Sequence, residues 1–168
     1  MSARPDREER VVLLDHRDSF AHVLADQIAR LGVGVDVVRA DLTSAAWRGV
    51  LLDLRPSLVV LSPGPGRPED AALACAWLRT APSVPVFGVC LGHQILGLVA
   101  GARIARGDEP AHGEACEVEW REQPFELPLP RSMPVARYHS LVVEAPPPAL
   151  RTLAVARPRG RDVVMAIE

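Results

Sequence analysis

Cys90 is the residue whose surroundings point most directly to chemistry. It stands between Gly88 and Gly92 in the pattern G-x-C-x-G. The apolar run 84–89 before it predicts a buried strand, and the apolar run 91–100 after it predicts a helix. Glycines on both sides are typical of a sharp strand-to-helix turn that presents a nucleophile, as in the serine elbow G-x-S-x-G. The sequence therefore predicts a nucleophilic thiol on a strained turn.

The helix that follows Cys90 also predicts how its thiol titrates. Unpaired N–H groups at a helix N-terminus favour thiolate over thiol, so we expect a lower pKa for Cys90 than for Cys75 or Cys116. The alternative is a buried structural cysteine between a strand and a helix. We assign a structural role to Cys75, in a predicted helix, and to Cys116, in a predicted strand.

Two further segments carry polar groups that could join Cys90. Residues 62–70, S-P-G-P-G-R-P-E-D, follow a predicted strand, and their glycines allow backbone N–H groups to face a ligand. One such N–H, together with that of Leu91, would form an oxyanion hole for a tetrahedral intermediate. Residues 137–141, R-Y-H-S-L, interrupt an apolar stretch. Each segment alone also fits a structural role, as a capped loop and as a hydrogen-bonded His139.

The elements that must position these residues alternate along the chain. Alternation of strands and helices predicts an α/β fold with an open, mainly parallel, twisted sheet and helices on both faces. In such a sheet ligands bind at the carboxyl ends of the strands, where the three segments would meet. The predicted strands are 11–15, 33–38, 57–61 and 84–89, and the predicted helices are 20–31, 45–54, 70–79 and 91–100.

After Gly101 the pattern changes to a smaller antiparallel section. A proline-rich loop at 123–134 is predicted to join the first two strands of this section. The sequence shows neither an internal repeat nor a domain linker. We therefore predict a short disordered tail at 1–10 and one domain at 11–168. The strands predicted in this section are 104–120, 134–143, 153–156 and 163–167.

Composition excludes several function classes. The 168 residues carry a net charge of −2, which gives no electrostatic basis for binding nucleic acid or an anionic membrane. Three cysteines without regular spacing argue against a disulfide framework and fit a reducing cytoplasm. Residues 1–10 lack the apolar region of a signal peptide, and no apolar run approaches the roughly 20 residues that span a bilayer. We expect a cytoplasmic protein with neither cofactor nor metal ion.

Together, these motifs resemble class I, triad-type glutamine amidotransferases, and most closely the glutaminase component of anthranilate synthase and aminodeoxychorismate synthase. The resemblance covers nearly the whole chain in the family's order, and its first two segments favour the chorismate-linked branch. It implies the flavodoxin-like fold of that family and a partner synthase that uses chorismate. The matching segments are 14–20 (L-D-H-R-D-S-F), 62–70, 88–94 (G-V-C-L-G-H-Q), 112–113 (H-G) and 138–141 (Y-H-S-L).

The resemblance also implies roles for the matching residues. Cys90 would attack the side-chain amide of L-glutamine, release ammonia and form a thioester that water hydrolyses. The N–H groups of Gly64 and Leu91 would hold the oxyanion. Ammonia would then pass to a synthase of the anthranilate or aminodeoxychorismate type. The residues that would position the glutamine are Gly64, Pro65, Gly66, Gln94, Ser140 and Leu141.

One part of the family pattern lies outside the sequence. The family's general base and its orienting acid occur in an H-P-E segment that follows the region equivalent to residues 163–167, and the sequence ends at Glu168. Of the histidines downstream of Cys90, only His112 and His139 could substitute, and the family pattern gives neither that role.

Three hypotheses therefore stand side by side. The first is a glutaminase, and the second is a catalytically impaired amidotransferase-like protein that binds and regulates a partner. The third is a different hydrolase with a cysteine elbow. Gln94 and the loop around Gly64 argue against the third, because they match a glutamine site.

We expect the chain that ends at Glu168 to bind glutamine weakly and to turn it over slowly, because a general base contributes roughly 10²–10⁴-fold to the rate. The measurement is steady-state ammonia release from this chain and from a version extended through the next histidine and glutamate. The extended version should be faster by a factor in that range. Equal rates would show that His112 or His139 supplies the base.

Overall fold

The structure, a computed structural model, describes residues 9–108, 111–122 and 129–168. The chain divides into two compact units, residues 1–95 and 96–168, and the division falls inside one helix. None of the helices in the described part of the chain combines the length and the apolar character needed to traverse a bilayer.

The first unit is a four-stranded parallel sheet with α-helices in its connections. Its strand order is β2-β1-β3-β4. The fourth helix crosses the division between the units. The strands are β1 (Arg10–Asp15), β2 (Gly34–Arg39), β3 (Leu58–Leu61) and β4 (Val86–Gly88), and the helices are α1 (Ala21–Ala29), α2 (Ser44–Leu54), α3 (Ala72–Leu78) and α4 (Leu91–Val99).

The central strands form because they are apolar on both faces. Leu13 and Leu14 of β1 and Val59 and Val60 of β3 are completely buried. Runs of this kind are typical of parallel strands that are covered on both sides. The four predicted helices are confirmed, and each ends within two residues of its predicted end. Gly32, with a φ of +87°, follows α1, as predicted for its stop.

The strand order creates a crevice beside β1 and β3. The chain winds from β1 outward to β2 and then returns to β3 on the other side of β1, so the winding direction reverses between β1 and β3. Ligands of open α/β sheets bind at such a switch point, outside the carboxyl ends of the strands. The segments that follow β1 and β3 are therefore placed where a ligand would bind.

The second unit consists of antiparallel strands, as predicted. One sheet has the order β10-β9-β6-β7, and a two-stranded sheet joins β5 to β8. The predicted strand at 163–167 is confirmed and pairs with β9. The strands are β5 (Arg103–Arg106), β6 (Glu114–Trp120), β7 (Ser132–Arg137), β8 (Leu141–Glu144), β9 (Thr152–Ala156) and β10 (Val163–Ile167).

The predicted fold class is confirmed, with corrections to three segments. The strand predicted at 84–89 is only three residues long, and its Phe87 is 55% exposed on β4, the last strand in the order of this sheet. The single strands predicted at 104–120 and 134–143 are each two strands. Turns interrupt them, at Gly113 (φ +76°) in the first and at 138–140 in the second.

The predicted N-terminal tail is wrong at its last residue, Arg10. Arg10 begins β1, pairs with Gly34 and places its guanidinium 3.0 Å from the carboxylate of Asp36. The first eight residues of that tail and residues 123–128 of the predicted proline-rich loop lie outside the described residues. One domain over 11–168 stays a prediction.

Candidate active site

Cys90 lies in a strained turn between β4 and α4. β4 ends at Gly88, and α4 begins at Leu91. Cys90 has a φ of +53°, in the left-handed region that residues with a side chain rarely adopt. The Val89 N–H donates to the carbonyl of Leu61 at 3.0 Å, which ties the turn to the end of β3. The strained backbone predicted for Cys90 is confirmed.

The two glycines of the motif are required by space. A Cβ on Gly88 would lie 2.4 Å from the carbonyl carbon of Gly92, and a Cβ on Gly92 would lie 2.3 Å from the carbonyl oxygen of Leu61. Both obstacles are backbone atoms, which cannot turn aside as the end of a side chain can. The first turn of α4 therefore packs directly against the carboxyl ends of β3 and β4 only because these positions lack side chains.

The Cys90 thiol is half-buried, and its surroundings act on its pKa in both directions. Burial raises the pKa most, the Leu91 N–H lowers it, and the negative charge of Asp18 raises it. The helix N-terminus thus acts in the predicted direction, but burial outweighs it and the pKa of Cys90 lies above its ordinary value. Burial also raises the pKa of Cys75 and Cys116, so the order of the three thiols stays a prediction.

The loop after β3 packs against the start of α4. A Cβ on Gly64 would lie 2.6 Å from the Cδ2 atom of Leu91 and 2.6 Å from the Cβ atom of His16. Gly66 has a φ of +86°, a conformation that favours glycine. Gly64 and Leu91, the pair predicted to hold an oxyanion, are therefore neighbours in the first unit.

Ser62 and His16 form a buried contact that sequence analysis did not predict. The Ser62 Oγ accepts the backbone N–H of His16 at 2.9 Å and donates to the carbonyl of Pro63 at 2.5 Å. Burial lowers the pKa of the His16 imidazole, so the ring is neutral at neutral pH. The sequence places each residue directly after a strand, but the contact itself depends on the parallel register of β1 and β3.

The D-x-x-D-S-F segment is a turn held by its own carboxylates. The Asp15 Oδ1 accepts the N–H groups of Arg17 at 2.8 Å and Asp18 at 3.2 Å, and the Asp18 Oδ1 accepts the N–H of Phe20 at 2.8 Å. Arg17 has a φ of +65° inside this turn. The turn fixes the residue after β1, His16, and brings the Asp18 charge within reach of Cys90.

Gln94 lies one turn along α4 from the nucleophile. Its N–H donates to the carbonyl of Cys90 at 3.0 Å, and the residue is buried. Pro65, which was also predicted to contact glutamine, is exposed in the Gly64 loop. The first unit therefore contains four of the six residues predicted to bind substrate.

Ser140 and Leu141 belong to the second unit, beside His139. The Ser140 carbonyl accepts the N–H of Gly107 at 2.9 Å. The His139 Nδ1 lies 2.9 Å from the carbonyl of Leu141 and must carry the proton, because a carbonyl only accepts. Its Nε2 then accepts the Nε–H of Arg137 at 3.3 Å. Both ring nitrogens are engaged, and burial lowers the pKa of His139, with Arg137 lowering it further.

A recess of about 350 Å³ opens at the carboxyl ends of the first unit's strands. His16, Arg17, Asp41, Pro65 and Leu91 are among its lining residues, and Arg17 forms an ion pair with Asp41 at 2.9 Å. Cys90 is not one of the lining residues that the structure describes. The recess therefore adjoins the elbow through Leu91 and coincides with the switch point of the sheet.

Comparisons with known proteins support the family that the sequence motifs indicate. The family model "Glutamine amidotransferase class-I" matches residues 12–168. The chain is 39% identical to anthranilate synthase component 2, pyocyanine specific, of Pseudomonas aeruginosa, over 92% of the chain and 82% of the relative. It is 43% identical to the aminodeoxychorismate synthase of Streptomyces griseus, over 86% of the chain and 20% of that longer protein.

Solved structures show the same fold. The structure of a putative GMP synthase component from Thermoplasma acidophilum superposes with a TM-score of 0.75 at 20% identity, over 90% of this chain and 75% of that one. A glutamine amidotransferase from Thermotoga maritima gives a TM-score of 0.68 at 18% identity, over 94% of this chain and 70% of that one. At these identities the likeness concerns the fold alone.

Adding a methyl group at Gly92 should disrupt the elbow. Because its Cβ would overlap the Leu61 carbonyl oxygen, Gly92→Ala should lower the free energy of unfolding by about 1–3 kcal/mol in urea titration. Gly49→Ala is the matched control, because Gly49 lies in α2 with no atom within 4 Å of its Cβ position. That change should raise the free energy of unfolding by about 0.5–1 kcal/mol. Equal effects would contradict the packing argument.

Removing the charge of Asp18 should shift the titration of Cys90. The alkylation of Cys90 by iodoacetamide requires the thiolate, so its rate should rise with pH through a midpoint above about 8.5, the ordinary thiol value. Asp18→Asn removes a contribution that raises the pKa, and the midpoint should move to lower pH. Asp53→Asn, at an exposed carboxylate of α2, should leave it in place. An unshifted midpoint in Asp18→Asn would show that this carboxylate does not act on the thiol.

Proposed function

Because the chain belongs to the class-I glutamine amidotransferase family, we propose that it hydrolyses L-glutamine to glutamate and ammonia through a thioester on Cys90. The observation that carries the proposal is the strained elbow, in which the Leu91 N–H acts on the Cys90 sulfur and Gly64 lies beside Leu91. A backbone conformation that costs free energy is retained where surrounding structure enforces it, and such conformations cluster at active sites.

The first half of the reaction forms the thioester. The Cys90 sulfur attacks the side-chain amide carbon, and the carbonyl electrons move to the oxygen. That oxyanion accepts hydrogen bonds from the N–H groups of Gly64 and Leu91. The intermediate then collapses with cleavage of the C–N bond, and the nitrogen takes up a proton and leaves as ammonia.

The second half restores the enzyme. Water attacks the thioester carbon, the C–S bond breaks, and glutamate leaves while Cys90 regains its proton. The general base that moves these protons would come from the family's H-P-E segment. His139 is unsuited to the task, because Leu141 and Arg137 engage both of its ring nitrogens. A base that accepts the thiol proton would also offset the upward pKa that burial gives Cys90.

The rest of the substrate would be held by the predicted binding residues. Gly66 has a positive φ, which lets the loop backbone take a conformation that favours glycine, and Gln94 is buried one turn beyond the nucleophile. Ser140 and Leu141 would contribute main-chain groups to the amino-acid end of glutamine. Pro65 and Gly64 complete this proposed set.

The proposed acceptor of the ammonia is a synthase that uses chorismate. Relatives named anthranilate synthase component 2 and aminodeoxychorismate synthase support this partner. Ammonia released into water is protonated and loses its nucleophilic electron pair, so the glutaminase is useful only when docked. The surface around Cys90 would therefore form the interface, and the pairing would occur in the cytoplasm.

A glutamine analogue with a chloromethyl ketone in place of the amide tests the proposal. Peptide mass spectrometry should find Cys90 labelled before Cys75 and Cys116, with free L-glutamine protecting it. Iodoacetamide serves as the control for general thiol exposure, because it reacts with any accessible thiolate and does not mimic glutamine. In a second assay, added synthase should raise the release of glutamate from glutamine.

The same experiment separates the glutaminase from the impaired, regulatory protein. Burial raises the pKa of the Cys90 thiol and so disfavours the thiolate, which is the observation that favours the regulatory protein. A regulatory protein would alter the activity of the synthase without releasing glutamate. Labelling of Cys75 or Cys116 first, or glutamine without protective effect, would contradict both the assigned nucleophile and the assigned substrate.

A further inference from the structure

Ser62 is fully buried where the Gly64 loop leaves β3, and its hydroxyl makes two short hydrogen bonds. The Oγ accepts the N–H of His16 at 2.9 Å and donates to the carbonyl of Pro63 at 2.5 Å. A hydroxyl has one proton, and the Pro63 carbonyl at 2.5 Å takes it in preference to the His16 Nδ1, which lies 3.5 Å from the same oxygen. Burial keeps solvent from competing for either bond.

The carbonyl that Ser62 binds belongs to the same peptide unit as the N–H of Gly64. This unit is planar and trans, so the Gly64 N–H points away from the Pro63 oxygen. Fixing the direction of the oxygen therefore fixes the direction of the N–H. A hydrogen bond accepted by the carbonyl also polarises the amide and strengthens its N–H as a donor.

His16 anchors this arrangement to the neighbouring strand. Its N–H comes from the residue directly after β1, in a turn that the carboxylate of Asp15 holds. The backbone of Gly64 then fits between His16 and Leu91, with 2.6 Å from its Cβ position to a side-chain atom of each. The contacts that orient the Gly64 N–H thus also keep it beside Leu91.

We propose that Ser62 is a positioning residue that aims the Gly64 N–H at the oxyanion formed during attack by Cys90. The inference rests on the proposed glutaminase function. It assigns a purpose to the D-x-x-D-S-F turn, which supplies the His16 N–H, and to the serine that opens the S-P-G-P-G loop. Ser62 itself touches neither the substrate nor the nucleophile in this arrangement.

The test is Ser62→Ala in the form of the protein that hydrolyses glutamine. Losing one oxyanion donor costs about 10²–10³-fold in kcat, so a misaimed donor should lower kcat by at least about tenfold, with KM changed by less than about twofold. Ser62→Thr keeps the hydroxyl and should restore most of the rate. Alkylation of Cys90 by iodoacetamide forms no oxyanion, so its rate should be the same in all variants.

Ser57→Ala is the matched control. The Ser57 hydroxyl also donates to a main-chain carbonyl, that of Arg10 at 3.1 Å, but it precedes β3 at the opposite end of the strand. Its kcat should equal that of the parent. Should Ser62→Ala not fold, Ser62→Cys, with a weaker donor, takes its place, and its kcat should also fall while Cys90 alkylation is unchanged.

The outcomes separate the two proposals. A parent that hydrolyses glutamine while kcat is unchanged in Ser62→Ala, or in Ser62→Cys where that variant takes its place, overturns the positioning role and leaves the glutaminase intact. A parallel loss of kcat and of Cys90 alkylation in a folded Ser62 variant also overturns the positioning role, because the thiol itself is then disturbed. A parent that releases no glutamate overturns the proposed function and this inference together.

Discussion

The contact between the first turn of α4 and the carbonyl of Leu61 is the constraint on which the site depends. That carbonyl ends β3 and accepts the Val89 N–H at 3.0 Å, and a Cβ on Gly92 would lie 2.3 Å from it. Because α4 starts so close to β3, the chain turns within Val89 and Cys90, and Cys90 takes a positive φ. The strain at the nucleophile follows from the packing of the helix.

The close packing of α4 against the end of β3 also determines the electrostatics of the Cys90 thiol. A sulfur between a sheet edge and a helix start gains the Leu91 N–H but loses water, and desolvation of a thiolate is the larger effect on its pKa. Asp18 adds negative charge on the same side. The elbow therefore fixes the place of the thiol beside Gly64 and Leu91, the proposed oxyanion donors, while burial disfavours the thiolate form of Cys90.

Local features of this site could be predicted from the sequence, and its long-range contacts could not. Glycines on both sides of a nucleophile are typical of a sharp strand-to-helix turn, so the elbow was predictable from the G-x-C-x-G motif alone. The bond between Ser62 and His16 joins residues 46 positions apart and requires the parallel register of β1 and β3. The exposure of Phe87 likewise depends on what packs against its face of β4, which apolarity alone does not reveal. The direction of the pKa shift of Cys90 could not be predicted either, because it depends on burial, which only the packed structure determines.

The histidine of the Y-H-S-L segment illustrates how hydrogen bonding separates structural from catalytic roles. A carbonyl at 2.9 Å fixes the tautomer of His139, and the guanidinium of Arg137 occupies the remaining lone pair of the ring. Burial, which disfavours a charged ring, lowers the pKa of His139 most. Arg137 lowers it further, because protonating that nitrogen would break the bond to Arg137 and set two cations side by side. A residue held in this way orients the backbone of Ser140 and Leu141, the groups proposed to meet glutamine. The proposed role of His139 is therefore to remain neutral and to hold this backbone in place.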